Sequence, residues 1–274
     1  MSLIDRFPSP ALMGVVNVTP DSFSDRGAHH DRDAAIAHAL RLLAEGADVL
    51  DIGGESTRPG SDGVDVGEEL ARVLPVIRGV LARAPRAVIS IDTSKASVAS
   101  AALDAGASLV NDVTALSDPA IAPLVAERGA DLILMHMLGT PRTMQDDPRY
   151  DDVVREVGEH LAARVERAVA AGVARERIAV DPGLGFGKDL GHNLALLRAI
   201  PTLARTTGCP VLIGHSRKSM LGRIIGDMER DRVLPSAVLG VEAVRRGAWM
   251  LRVHDVQAQR DALAVHAALA GDGR

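Results

Sequence analysis

The side chains in this sequence that could do chemistry sit where short apolar runs end. They are Asn17, Asp51 with Glu55, Asp92, Asn111 with Asp112, His136, Asp181, Ser216-Arg217-Lys218, and Arg252 with His254. Taken singly, a polar residue after a strand commonly caps the next helix. Taken together, carboxylates at positions 51, 92 and 181 oppose cations at positions 218 and 252, the layout of a site for a polar ligand. Ser216-Arg217-Lys218-Ser219 stands where a helix opens, and the free backbone N–H groups of such a terminus favour an anion. Arg252 and His254 end the following run. These two clusters therefore point to a phosphate or diphosphate ligand.

The segment from Asp181 to Lys188, DPGLGFGK, has a different chemistry. It is not a Walker loop, because Pro182 replaces the first glycine and Asp189 the Ser or Thr. It does not fit GxGxxG either, because Lys188 takes the last glycine's place. Its glycines allow a flat ligand to approach the backbone. Phe23 and Phe186, two of the three Phe in the chain, fall in such loops and suit stacking on a planar ring. The histidines do not make a metal site by spacing: His29 and His30 are adjacent, His38 and His160 fall within helical stretches, and no HExxH occurs. A hard cation can still arrive on a diphosphate, with Asn17 supplying an oxygen and water the rest.

These residues need a scaffold that brings strand ends together. Apolar runs at 12–18, 49–53, 87–92, 108–113, 132–137, 178–181, 211–214 and 250–253 predict eight strands. Amphipathic stretches at 33–45, 66–83, 95–105, 120–128, 150–171, 190–205, 219–246 and 257–270 predict the helices between and after them. Gly46, Gly106, Gly129, Gly172 and Gly247 each stand between a helix and a strand, the place of a left-handed cap. Eight consecutive units within 274 residues favour a closed (β/α)8 TIM barrel over an open doubly wound sheet, as a single domain, 1–274. In such barrels the loops after strands seven and eight frequently hold phosphate, which agrees with the basic clusters.

Composition agrees. Hydrophobic residues make up 47% but aromatics 2%, so the core is built of Ala, Val, Leu and Ile. A net charge of -5 gives no electrostatic reason to expect nucleic acid. The lone Cys209 excludes an internal disulfide and reads as structural. The N-terminus lacks the apolar run of a secretory signal, and no stretch approaches the ~18 apolar residues of a membrane span. The expectation is a soluble, cytoplasmic protein with no membrane contact.

Several long motifs, in order along nearly the whole chain, resemble the dihydropteroate synthase family. They are Asn17 to Asp25, Asp51 to Gly60, Ser90 to Thr93, Asn111 to Val113, Leu134 to Met137, Asp181 to Gly183, Ser216 to Ser219 and Arg252 to Asp255. The resemblance implies a (β/α)8 barrel, typically a homodimer, that joins 6-hydroxymethyl-7,8-dihydropterin diphosphate to p-aminobenzoate with loss of pyrophosphate in folate biosynthesis, and that is a sulfonamide target. It further implies that Asp92, Asn111, Val113, Met135, Asp181, Phe186, Gly214 and Lys218 bind the pterin, with Asp92, Asp181 and Lys218 catalytic. Asn17, Arg252 and His254 would grip the diphosphate, with Mg2+ at Asn17. Phe23, Thr57, Arg58, Pro59, Ser216 and Ser219 would form the p-aminobenzoate site. Arg26, His215 and Pro235 depart from the family's pattern. A corrinoid-linked pterin methyltransferase would share the barrel and the carboxylates but has no use for the Thr57-Arg58-Pro59 loop, and a non-catalytic binding paralogue would not need the intact loops and basic cluster.

Overall fold

The structure, a computed structural model, describes residues 2–7, 9–19, 28–56, 60–61 and 63–271. All eight expected strands form: β1 Ala11–Asn17, β2 Val49–Gly53, β3 Ile89–Asp92, β4 Leu109–Asp112, β5 Asp131–Met135, β6 Ile178–Asp181, β7 Leu212–Gly214 and β8 Met250–Val253. They pair in parallel in the order β6-β5-β4-β3-β2-β1-β8-β7. A parallel bridge between Val180 and Val211 joins the two ends, where Val180 N donates to Pro210 O at 3.0 Å. Closure removes the exposed sheet edges. The helices are α1 Leu3–Arg6, α2 Ala28–Ala44, α3 Val66–Arg83, α4 Ala96–Asp104, α5 Ile121–Arg128, α6 Val153–Ala170, α7 Leu190–Arg198, α8 Ile200–Thr207, α9 Ser219–Ile225, α10 Val233–Arg245 and α11 Val256–Ala270.

The chain thus forms a single (β/α)8 barrel domain, and the two-residue period of its strands decides what faces inward. Leu12, Val16, Leu50, Ile52, Ile89, Ile91, Val110, Leu132, Leu134, Ile178, Val180, Ile213, Leu251 and Val253 pack outward against the helices. Met13, Val49, Leu109, Ile133, Ala179, Leu212 and Met250 fill the barrel's lower interior. Two residues further along β2, β4, β6 and β8, the inward positions become polar: Asp51, Asn111, Asp181 and Arg252. The same alternation turns Asp112 and His136 outward.

The sequence reading assigns no element to residues 3–6, yet α1 plugs the barrel floor. Leu3 and Phe7 are buried with Trp249, whose Nε1 donates to Phe7 O at 2.9 Å. Arg6 pairs with Asp131 and donates to Ser108 Oγ at 2.9 Å. A four-residue helix is too short to show a period, so only its tertiary contacts reveal it.

Two expected helices divide. The stretch 190–205 breaks at Ala199, because Pro201 in the first turn of α8 lacks the N–H that a continuous helix needs. The stretch 219–246 ends its first part at Gly226, whose φ of 73° stops α9. Pro235 then falls in the first turn of α10, where a missing N–H costs nothing. The five glycines expected at helix-to-strand junctions all have positive φ, between 57° and 108°.

Candidate active site

A cavity of about 60 Å³ opens at the C-terminal ends of the strands, lined by Asp92, Asn111, Val113, Met135, Asp181, Phe186, Gly214, Ser216, Lys218, Arg252 and His254. All eight positions expected around a flat heterocycle are in this lining, and two of the three expected at the diphosphate join them. The third, Asn17, ends β1 half-buried outside it; the alternation that puts Met13 inside turns Asn17 inward as well. Ser219 opens α9 and is exposed. Phe23, Thr57, Arg58 and Pro59, together with Arg26, lie outside the described residues.

Beneath the cavity, one buried carboxylate ties two of its walls together. Asp51 Oδ2 accepts from Asn111 Nδ2 at 2.9 Å and from Arg252 Nε at 2.6 Å. Arg252 Nη2 donates to Asp92 Oδ2 at 2.8 Å, so the guanidinium is clamped between two acids. Burial pushes the Asp92 carboxyl up to about 7 despite the attraction of Arg252, with Asp51, Glu69 and Asp112 adding repulsion. Asp51 Oδ1 and the neighbouring Ser90 Oγ are buried without a partner.

Across the cavity, Asp181 Oδ1 accepts from Gly183 N at 2.7 Å. A Cβ at Gly214 would come within 3.3 Å of Asp181 Oδ2, so glycine there keeps the carboxylate's approach open. Lys218 Nζ donates to Leu184 O and sits 4.6 Å from the centroid of the Phe186 ring, a cation–π contact. Burial lowers this ammonium to about 8, against the opposing pull of Asp181. Ser216 Oγ accepts from His254 N at 3.1 Å, which joins the loops after β7 and β8. Arg217, with φ of 58°, pairs with Asp255 through Nε at 2.8 Å. The site therefore offers an acid and a cation on each side, Asp92 with Arg252 and Asp181 with Lys218, and an aromatic and aliphatic lining between.

Not every polar strand end belongs to it. Asp112 accepts from Thr114 N, Thr114 Oγ1 and Leu116 N at 2.9, 2.7 and 2.7 Å, holding a turn whose Ala115 and Leu116 have φ of 48° and 68°. His136 faces outward, edge-on to His160 at 4.9 Å. Glu55 pairs with Lys95, which also meets buried Glu69 at 2.5 Å. His215 is buried and its Nε2 lies 3.0 Å from Ser236 O, so this departure from the family's pattern serves packing. Cys209 is free and buried, its thiol pushed up to about 11 by that burial. Lys188, absent from the expected set, is buried behind Phe186; its place at the end of the glycine loop was the available signal.

A family model described as pterin binding enzyme matches residues 13–254. The chain is similar to the dihydropteroate synthase of Neisseria meningitidis serogroup B, with 49% identity over 267 residues, covering 95% of this chain and 93% of the relative. It is also similar to a Xanthomonas albilineans dihydropteroate synthase solved with 4-aminobenzoic acid: TM-score 0.89, 48% identity, covering 96% of this chain and 94% of that one. A second structure from that organism, in complex with 7,8-dihydropteroate, has a TM-score of 0.86 at 45% identity, again covering 96% and 94%. The matches span the barrel and the residues around its cavity, and the chain belongs to the pterin binding enzyme family.

Proposed function

We infer that the protein is a dihydropteroate synthase, a transferase that condenses 6-hydroxymethyl-7,8-dihydropterin diphosphate with p-aminobenzoate and releases pyrophosphate in folate biosynthesis. The observation that carries the reading is the single cavity in which Asp92, Asn111 and Asp181 face Lys218 and Arg252. A pterin edge presents an N–H and an amino group, which Asp181 accepts as a pair while Asp92 and Asn111 complete the edge. Val113, Met135 and Phe186 line the ring faces, and Lys218 meets the carbonyl side at Gly214. Arg252, His254 and Asn17 hold the diphosphate.

An aromatic amine is neutral near pH 7, so no strong base is needed. The p-aminobenzoate nitrogen attacks the pterin methylene carbon, the carbon–oxygen bond breaks with its electron pair going to pyrophosphate, and the nitrogen loses a proton. What the protein contributes is positioning and cationic stabilisation of the leaving group. Asp92, beside the heterocycle, stabilises positive charge developing on it. Phe23, Thr57, Arg58, Pro59, Ser216 and Ser219 receive p-aminobenzoate.

Among the described residues no group of three acidic, His or Cys side chains is placed to hold a metal. Asn17 would give one oxygen to a Mg2+ arriving on the diphosphate, which would neutralise leaving-group charge. Exposed Ile224, Leu234, Val238, Val265 and Leu269 on α9, α10 and α11 support a homodimer. No described helix is long and apolar enough to cross a membrane. Pure protein should release pyrophosphate only when Mg2+, the pterin diphosphate and p-aminobenzoate are all present. Release that ignores p-aminobenzoate would contradict the assignment.

A further inference from the structure

Lys188 is 3% exposed at the end of the loop that follows β6, and its three donors meet uncharged acceptors. Nζ lies 2.9 Å from Phe186 O, 2.9 Å from His136 Nδ1 and 3.4 Å from His136 O. A buried ammonium with no carboxylate among these partners is costly, and burial lowers it to about 7. Stability alone would favour an apolar residue here, so its presence points to a task.

The task follows from what the loop carries. Gly183 and Gly187 both have φ of 67°. A Cβ on the first would stand 2.0 Å from His136 O, and on the second 2.6 Å from Leu138 Cβ, so the loop lies flat on the segment after β5. Lys188 crosses that seam, bonding to His136 on one side and Phe186 on the other. Between them the loop delivers Leu184 O to Lys218 Nζ and the Phe186 ring to the face of the same ammonium. Both Phe186 and Lys218 line the cavity; Lys188 does not.

We propose that Lys188 is a positioning residue for the heterocycle site: by bonding Phe186 O and both acceptors of His136 it fixes the Phe186 ring against Lys218, and so sets affinity for the pterin without touching it. The proposal rests on the reading of this cavity as the pterin site. It separates Lys188 from residues that only stabilise the barrel, because its effect must pass through Phe186.

The test is a double-mutant cycle with Lys188→Met, Phe186→Ala and their combination, varying pterin diphosphate and p-aminobenzoate separately. Lys188→Met should raise KM for pterin diphosphate about tenfold while leaving kcat and the KM for p-aminobenzoate within about twofold. The double variant should be no worse than the worse single one. Multiplying effects, an equal rise in both KM values, or lower thermal stability with unchanged KM would overturn the proposal. Lys188→Gln, which keeps a shorter donor, should show a smaller rise and carries the cycle if the Met variant does not fold. Equilibrium binding of 6-hydroxymethylpterin, followed by its fluorescence, runs the same cycle without turnover. A wild-type enzyme that binds this pterin but makes no product would count against the proposed function and leave the positioning role to the binding data.

Discussion

Replacing Lys218 by Met should make the protein more stable and inactive at once. Burial lowers the Lys218 ammonium from its ordinary 10.5 to about 8, which corresponds to about 3 kcal/mol against the charged form in the folded state. Lys218 is half-buried at the cavity mouth, and solvent screening reduces this to about 1–2 kcal/mol. Below pH 8 the folded protein bears that cost in full. Between about pH 8 and 10 the folded lysine loses its proton before the unfolded one does, so wild-type stability rises with pH through that window. Urea unfolding of wild type and Lys218→Met at pH 7 and pH 9.5 compares the full cost with a point well into that rise. The Met variant should be about 1–2 kcal/mol more stable at pH 7, with a smaller advantage at pH 9.5, and should turn over no substrate. A variant less stable than wild type at pH 7, or an advantage independent of pH, would refute the reasoning; near-normal activity would show that Lys218 does not meet the pterin.

Asp51→Asn keeps the shape but removes the charge that holds Arg252 and Asn111. Losing charged hydrogen bonds of about 1.5–3 kcal/mol should lower kcat/KM for pterin diphosphate about 10- to 100-fold, and removing this negative neighbour should move the Asp92 titration below about 7. A pH–rate profile that does not move would detach Asp51 from Asp92. Phe7→Ala, at the barrel floor, should cost about 3–5 kcal/mol of stability by denaturant titration with kcat unchanged below the melting temperature. Substitution of Pro59, which lies outside the described residues, should raise the KM for p-aminobenzoate, and weaken sulfonamide binding, more than it alters the KM for pterin diphosphate. Equal changes would move the second pocket elsewhere.

The strands and most of the cavity lining were legible because apolar residues alternate and, on every strand except β5 and β7, an inward position near the end turns polar. Applied strictly, that alternation also separates Asn111 from Asp112 and Met135 from His136, since neighbours on a strand point to opposite faces. Reading strand ends as clusters obscured this, and placed two outward residues in the ring. The clamp of Arg252 between Asp51 and Asp92 was not legible, because it joins positions 201 and 160 residues apart and depends on strand register. The α1 plug escaped for the same reason: its four residues matter only through Trp249 and Asp131. Lys188 stood in a recognised motif but looked like loop chemistry, since burial of a lysine leaves no mark in local sequence.

The central claim is that this cavity joins two specific molecules at one bond. It is tested most directly by turnover with p-aminobenzoate carrying 15N at its amine, with products separated by mass. The account predicts dihydropteroate bearing the label on the bridging nitrogen and one pyrophosphate released for each. Pyrophosphate appearing with unlabelled hydroxymethylpterin, and without dihydropteroate, would contradict it.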